Sequence, residues 1–155
     1  MTSTIVVGAS VAGLLTARVL SDLVDDVVLL ERERLADAPS PRGHVPQGKH
    51  LHLLLTAGLD RLITWFPGID DELAELGAVW VDGTRAWVYQ AGGYRAQGDW
   101  GRPALSMTRP LLEQVVRRRV SALDNVGIED GIVADRVEVS DGRVAGVVVD
   151  GEVRS

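Results

Sequence analysis

The sequence predicts an α/β fold: a parallel βαβ unit, then part of a mixed sheet, then a β-meander. Two observations predict it. A short β-branched strand at 5–7 passes through a glycine-rich turn into a helical pattern, and a second apolar strand follows at 26–31. Near the C-terminus, strands at 133–139 and 143–149 are joined by a Ser-Asp-Gly turn, which indicates an antiparallel pair.

The turn after the first strand contains glycine at Gly8 and again at Gly13. Gly8 permits a tight turn, and Gly13 allows the first turn of the helix to lie close against the strand. The helix is indicated by apolar residues at helical spacing, Ala12, Leu15, Val19 and Leu23. Because its N-terminus presents backbone N–H groups and about half a positive charge, it can bind a diphosphate. The turn therefore predicts a Rossmann-like dinucleotide site.

Two further residues bear on this prediction. Ser10 stands where the fingerprint normally has its middle glycine, and its small hydroxyl still fits and can donate a hydrogen bond. Glu31 ends the second strand 23 positions after Gly8, near the roughly 20 expected for a carboxylate that binds a ribose hydroxyl. The alternative is an ordinary βαβ unit whose glycines serve packing only. The combination of strand, turn, helix, strand and acid favours the dinucleotide site.

The rest of the chain divides into recognisable segments. The charged, Pro/Gly-rich stretch 32–50 predicts a long ordered loop with a functional role. The remaining patterns predict helices at 51–65, 69–76 and 109–123, strands at 78–81, 105–108 and 126–129, and a hairpin of 86–90 with 94–97. We assign 1–50 and 104–155 to a dinucleotide-binding core and 51–103 to part of a substrate-side insertion.

Two features of this scheme concern the insertion and the C-terminus. Five aromatic residues either line the base of a substrate pocket or pack against the outer face of a small sheet. They are Trp80, Trp87, Tyr89, Tyr94 and Trp100. A third meander strand begins at Glu152 and is short, which predicts an unpaired apolar edge at 144–149. We therefore expect the chain to be the N-terminal part of a longer protein.

Composition narrows the function classes. A net charge of −6 with 46% hydrophobic residues argues against a nucleic-acid partner. The first apolar run is too short for a membrane span or a signal peptide, so we expect a cytoplasmic protein without a membrane partner. Without cysteine, redox chemistry must belong to a bound cofactor. Three histidines, His44, His50 and His52, have no carboxylate or cysteine at ligand spacing nearby, so we predict no metal site.

Three motifs together carry a family resemblance. They are the turn Gly8-Ala-Ser-Val-Ala-Gly13 with Glu31, the loop pattern Arg-x-x-x-Pro-Gln-x-x-His-x-His at 42–52, and the Thr-Arg-Pro helix start at 108–110. With them the sequence resembles bacterial FAD-dependent monooxygenases related to aromatic hydroxylases. The resemblance covers nearly the whole chain and favours FAD over NAD.

The resemblance implies positions for the cofactor. It places the diphosphate over the turn, including Ser10, Val11, Ala12 and Gly13, and the adenosine ribose on Glu31 with Arg32 close by. It brings Arg42 and Gln47 towards the phosphate and flavin side, and Arg109 towards the diphosphate, since a guanidinium binds such oxygens bidentately. It also places the backbone of Val133 near the adenine. For Arg42 and Arg109 the alternative is a solvated charge.

The function implied by the resemblance is that of a flavin-dependent oxidoreductase. It would use NAD(P)H and O2 on a small organic substrate as a monooxygenase, and this chain alone would be inactive. Two alternatives remain open at this point: a flavin dehydrogenase or reductase on the same scaffold, and a non-catalytic module that binds an adenine dinucleotide. Catalytic residues, substrate and oligomeric state are not predicted.

Overall fold

A computed structural model describes residues 2–99, 101 and 103–155, so the predicted role of Trp100 lies outside the described residues. Within the described residues there are eleven strands and four α-helices. In chain order they are β1 (Ser3–Val7), α1 (Val11–Leu20), β2 (Asp26–Glu31), β3 (Leu51–Leu54), α2 (Thr56–Trp65), α3 (Ile69–Glu75), β4 (Val79–Val81), β5 (Tyr89–Gln90), β6 (Gly93–Tyr94), β7 (Ala104–Thr108), α4 (Arg109–Ser121), β8 (Val126–Asp130), β9 (Arg136–Ser140), β10 (Arg143–Val149) and β11 (Glu152–Arg154).

The chain divides into two compact units. The first unit comprises residues 1–45 and 113–155, and the second comprises residues 46–112. None of the helices among the described residues is long and apolar enough to cross a membrane.

The first unit contains the predicted parallel sheet, in the order β1-β2-β8. β2 is central and pairs in parallel with both neighbours, with Val6 opposite Leu29 and Leu29 opposite Ile128. Val27, Leu29 and Leu30 of β2 are almost completely buried, which shows that both faces of this central strand are covered. The βαβ unit predicted from the sequence is therefore confirmed.

The helix α1 buries a different face from the one suggested by its apolar spacing. Leu14 and Ala17 are fully buried, whereas Ala12 and Val19 are exposed and Leu23 lies beyond the helix and is exposed. The stripe Ala12, Leu15, Val19 and Leu23 is therefore not the core face. Because Gly13 packs closely against the end of β1, the next residue, Leu14, and Ala17 one turn later face the sheet.

The meander of the first unit has the order β11-β10-β9. The central strand β10 pairs with β9 on one side, and its residues Val147 to Val149 pair with β11 on the other. The expectation of an unpaired apolar edge at 144–149 was thus wrong for Val147 to Val149, which are buried. Even a three-residue third strand is enough to cover this part of β10.

The second unit is built on an antiparallel sheet in the order β3-β7-β4. The predicted helix at 51–65 is wrong in its first four residues, which form β3 and pair with β7 from Leu51 opposite Thr108 to Leu54 opposite Leu105. A helix then covers Thr56–Trp65, and Leu59 and Leu62 bury its apolar face. The other predicted helices and strands are confirmed with small changes at their ends.

The hairpin predicted at 86–97 is shorter than expected, and its paired strands are Tyr89–Gln90 and Gly93–Tyr94. The helix start at Thr108 is confirmed, since the Thr108 hydroxyl accepts a hydrogen bond from the Leu111 N–H at 3.3 Å.

Candidate cofactor-binding site

The glycine turn between β1 and α1 brings the helix start against the strand end. A Cβ atom on Gly13 would lie 1.8 Å from the Gly8 carbonyl oxygen, so only glycine fits at this position. Gly8 has a φ of +96°, which favours glycine, and its N–H donates to the Leu30 carbonyl at 2.8 Å. Both predicted roles of these glycines, the tight turn and the close approach, are present in the structure.

The N-terminus of α1 begins at Val11, with Ser10 as the N-cap residue in extended conformation. The first N–H groups of any α-helix lack acceptors within the helix, and here these belong to Val11, Ala12 and Gly13. Ala12 is exposed, and Val11 and Gly13 are partly buried. The turn therefore offers the backbone donors that an anionic group requires.

Glu31 lies at the end of β2, buried beside this turn. One carboxylate oxygen, Oε2, accepts the Ala9 N–H at 2.8 Å and contacts Arg42 Nη2 at 2.5 Å, while Oε1 accepts the Glu33 N–H at 2.9 Å. Burial raises the pKa of this carboxyl, but the hydrogen bonds from Arg42 and from the two N–H groups outweigh it, so the pKa lies below its ordinary value. Glu31 is therefore an ionised acceptor.

Arg42 joins three carboxylates into one cluster. Its Nη2 contacts Glu31, its Nε contacts Glu33 Oε2 at 3.0 Å, and its Nη1 contacts Glu113 Oε1 at 2.7 Å and the Ala9 carbonyl at 3.2 Å. With only 12% of its side chain exposed, the guanidinium is held on every edge. The predicted alternative of a solvated loop charge does not describe Arg42, because its charge is used inside the first unit.

Glu33 and His44 extend the cluster towards the surface. The His44 ring lies 2.5 Å from Glu33 Oε1, which also accepts the His44 N–H at 2.8 Å. The hydrogen bond from the His44 side chain, opposed by burial and aided by Arg42, lowers the pKa of Glu33 to about 2. The first part of the long loop is thereby ordered, and Asp130 holds it further by accepting the Leu35 N–H at 2.8 Å.

A cleft of about 320 Å³ opens beside the cluster within the first unit. It is lined by the ends of β1 and β2, by the Arg42 segment and by the residues between β8 and β9. Six of the predicted cofactor residues line it, namely Gly8, Ser10, Glu31, Arg32, Arg42 and Val133. Residues distant in sequence thus share one concave surface at the carboxyl ends of parallel strands, where dinucleotides bind in such folds.

The residues of this cleft fit an adenine dinucleotide. Nothing within 4 Å would contact a Cβ on Gly8, so the turn is open there. A carboxylate has about four acceptor positions. The hydrogen bonds described above use three of those on Glu31, which leaves room for one donor such as a ribose hydroxyl.

Two predicted cofactor residues belong to the second unit. Gln47 is exposed in a short 3₁₀ helix at Pro46–Lys49, and Arg109 begins α4 with its Nη1 3.3 Å from His52 Nε2. Burial, and then the charge of Arg109, lower the pKa of His52 below its ordinary value. Arg109 is therefore partly buried beside a histidine and is not a fully solvated helix-start residue.

Sequence reasoning missed two residues of the cluster, Glu33 and Glu113. Glu113 offered a signal, because it sits within the apolar stripe of α4 next to Leu112 and is only 5% exposed. A carboxylate on the buried face of a helix requires a partner. Glu33 offered none, since it follows the strand in a run of charges.

The second unit contains an apolar cleft of about 380 Å³. Its lining residues are Leu53, Leu55, Gly83, Ala86, Val88, Arg95 and Ala96. Tyr89 and Tyr94 are not among them, and their rings instead pack edge to face with centroids 5.2 Å apart. Among the residues that the structure describes, no group of three His, Asp or Glu side chains is placed to hold a metal ion.

Comparison with known proteins agrees with this geometry. Residues 1–66 match the family model described as an FAD binding domain. Protein Rv3254 of Mycobacterium tuberculosis (strain ATCC 25618 / H37Rv) is 37% identical over 152 residues, which cover 94% of this chain and 32% of that protein. The chain thus spans about a third of the length of this curated relative.

Solved structures share the fold. The p-nitrophenol 4-monooxygenase PnpA from Pseudomonas putida DLL-E4 superposes with a TM-score of 0.63 at 22% identity, covering 91% of this chain and 35% of that one. The tetrameric form of 2-methyl-3-hydroxypyridine-5-carboxylic acid oxygenase superposes with a TM-score of 0.67 at 22% identity. The match covers 99% of this chain and 37% of that one. Residues 1–66 of this chain thus match an FAD binding domain, and the chain shares the fold of these two oxygenases.

Proposed function

We propose that this chain is the FAD-binding part of a flavin-dependent monooxygenase that uses NAD(P)H and O2 on a small organic substrate. One observation carries the proposal. Gly8 and Ser10 of the glycine turn line a single cleft in the first unit together with Glu31 and Val133, and the turn and Glu31 lie in the segment that matches an FAD binding domain. The proposal places the protein in the cytoplasm, where reduced nicotinamide is available.

In this proposal the first residues of α1 and the residues of the cleft have separate roles in holding the cofactor. The N–H groups of Val11, Ala12 and Gly13 receive the diphosphate, because they carry the positive end of the α1 dipole. Glu31 accepts a ribose hydroxyl, and its low pKa keeps it an acceptor near neutral pH. Arg32 and Val133 line the same cleft, and in this proposal Arg32 and the Val133 backbone flank the adenosine.

Arg42 contributes charge balance to this site. Three carboxylates beside a diphosphate would repel it, and the guanidinium between them neutralises one of those charges while fixing their positions. The assignments of Gln47 to the phosphate and flavin side and of Arg109 to the diphosphate stay predictions from the family resemblance.

Bound FAD would supply the redox chemistry, while the protein binds and orients the cofactor and excludes water. The names of the fold relatives favour oxygenation over a dehydrogenase or reductase. A polypeptide of the relatives' length would separate these functions. With ¹⁸O2, a monooxygenase places one labelled atom in its organic product, whereas a reductase oxidises NAD(P)H with an artificial acceptor and labels none.

The apolar cleft of the second unit suits a small organic substrate. Its walls are aliphatic, and Arg95 is the charged residue among those that line it. This observation supports the substrate class of the proposal.

The first test is made on the purified chain. Its absorbance spectrum is recorded before and after incubation with FAD and desalting. A retained flavin band near one equivalent would support the proposal. A colourless protein, both for this chain and for one extended to the relatives' length, would reject FAD as the cofactor.

A non-catalytic adenine-dinucleotide module is the remaining candidate, because the adenosine side of the cleft lies wholly in the first unit. It predicts that ADP and NAD⁺ bind as tightly as FAD. Titration of all three ligands by calorimetry distinguishes it, since a flavin-specific site binds FAD preferentially.

A further inference from the structure

Ser10 is an N-cap residue whose hydroxyl is directed away from its own helix. Serine at this position commonly accepts a hydrogen bond from the second or third N–H of the helix. Ser10 has the extended backbone of an N-cap, with φ −80° and ψ 175°, but among the described residues its side chain makes no capping hydrogen bond to α1. The hydroxyl instead donates to Glu113 Oε2 at 3.2 Å.

Glu113 is well placed to hold this hydroxyl. It comes from α4, 103 positions further along the chain, and is 5% exposed. Its other oxygen, Oε1, accepts Arg42 Nη1 at 2.7 Å, and that guanidinium is fixed in turn by Glu31 and Glu33. The two oxygens therefore have separate tasks: one anchors the carboxylate to the cluster and the other receives Ser10.

The consequence concerns the N–H groups that a diphosphate would use. A capping hydroxyl would occupy the N–H of Ala12 or Gly13, the second and third residues of α1. We propose that Glu113 is a positioning residue which holds the Ser10 hydroxyl off these N–H groups and so keeps them available to the cofactor diphosphate. This inference rests on the proposed function for its ligand, although the effect on α1 exists without any ligand.

The first experiment measures that effect on the FAD-free chain. Amide hydrogen exchange at Ala12 and Gly13 is followed by NMR in the parent chain and in Glu113→Ala. Once released, the hydroxyl caps the helix, and exchange at one of these amides slows by about fivefold. In the double variant Ser10→Ala/Glu113→Ala the exchange returns to the parent rate. Unchanged exchange in Glu113→Ala would overturn the proposal whatever the cofactor is.

The second experiment measures FAD affinity by quenching of flavin fluorescence. We expect Glu113→Ala to weaken binding about tenfold, and the double variant to recover to within about threefold of the parent. A Glu113 that merely supports the fold predicts no recovery, because removing a second hydrogen-bonding group cannot repair lost packing. Equal losses in the single and double variants would therefore overturn the proposal.

Ser10→Ala alone keeps the test valid if Glu113→Ala fails to fold. Because the hydroxyl already lies on Glu113, its removal leaves the exchange of Ala12 and Gly13 within about twofold of the parent. If exchange at Ala12 or Gly13 instead became about fivefold faster, the hydroxyl would already cap α1 in the parent chain, and the proposal would be wrong.

Glu129→Ala is the matched control for Glu113→Ala. Glu129 belongs to the same unit and binds Arg154 with both oxygens, at 2.7 and 2.8 Å, but does not line the cleft. It should change neither exchange at α1 nor FAD affinity. If it lowered affinity as much as Glu113→Ala, the effect would be general and the proposal would be wrong.

If no chain binds FAD but the exchange pattern holds, the proposed function fails and the role of Glu113 at α1 stands.

Discussion

The two compact units differ in their buried charges, although both expose large apolar side chains. The first unit buries charge, since Glu31 and Glu113 are 4% and 5% exposed and share one guanidinium. The second unit exposes large apolar side chains, among them Leu51 at 79% and Trp87 at 72%. Its buried core includes Leu62 of α2, Leu73 of α3 and Leu105 of β7.

This difference indicates that side-chain positions are more tightly constrained in the first unit. Buried charges are tolerated only when each is paired and hydrogen-bonded, so the first unit fixes its polar groups in one arrangement. Exposed apolar residues impose no such requirement, and the second unit can vary in sequence at little cost in folding. Substitutions in the two units should therefore differ in their effects on stability and on FAD affinity.

The largest effect is expected at Gly13. In Gly13→Ala the added Cβ would lie 1.8 Å from the Gly8 carbonyl oxygen, so the helix must move away from the strand. We expect a loss of about 3 kcal/mol in the free energy of unfolding and no retained FAD. Urea unfolding and the flavin spectrum measure both. The control Gly127→Ala meets nothing within 4 Å and should stay within about 0.5 kcal/mol of the parent.

A smaller effect, on both stability and binding, is expected at Glu31, because its removal leaves Arg42 and the Ala9 and Glu33 N–H groups without this acceptor. Removing its carboxylate in Glu31→Ala deletes one hydrogen bond to a charged acceptor, which corresponds to an affinity loss of about 10- to 100-fold. Fluorescence titration with FAD measures the loss. Unchanged affinity would contradict the ribose assignment. Glu129→Ala removes a carboxylate from the adjacent strand β8 and serves as the control.

Acid should weaken the first unit through Glu33. The hydrogen bond from His44 lowers the Glu33 pKa from 4.5 to about 2, although burial opposes this, and Arg42 assists. A lowered folded-state pKa means that the stabilisation is complete above pH 4.5 and is lost as the pH falls towards 2. Solvent screening limits it to about 1 kcal/mol.

Comparison with Glu33→Gln measures this contribution. The difference in urea midpoint between the parent chain and the variant should be constant above about pH 5 and shrink below pH 4. A difference independent of pH would contradict the assignment. Glu138→Gln, which removes a charge from the exposed strand β9, should show a smaller difference at every pH.

The smallest effect is expected in the hairpin of the second unit. Tyr94 is 68% exposed, and its ring packs edge to face on Trp87 and Tyr89, with centroids 5.6 and 5.2 Å apart. We expect Tyr94→Ala to cost about 1 kcal/mol or less and to leave FAD affinity unchanged. Thermal unfolding and FAD titration measure the two. A loss of affinity equal to that of Glu31→Ala would break the contrast between the units.

The sequence predicted the cofactor turn because its determinants are local. Gly8, Gly13 and Glu31 have positions set by the backbone of one βαβ unit, so spacing alone locates them. The strand β3 could not be predicted in the same way. A short run of leucines suits a helix or a strand, and pairing with β7 more than fifty residues later decides between them.

By itself, then, the sequence determined the parallel βαβ core, the glycine turn and the acid that follows it, because each depends on residues within about thirty positions. Tertiary structure decided which charged side chains form ion pairs with one another. Arg42 could have faced solvent or a ligand, and only the fold brings to it Glu113, 71 positions away, and diverts Ser10 to the same carboxylate. Charged side chains are long and carry no periodic signal, so their partners are fixed by packing.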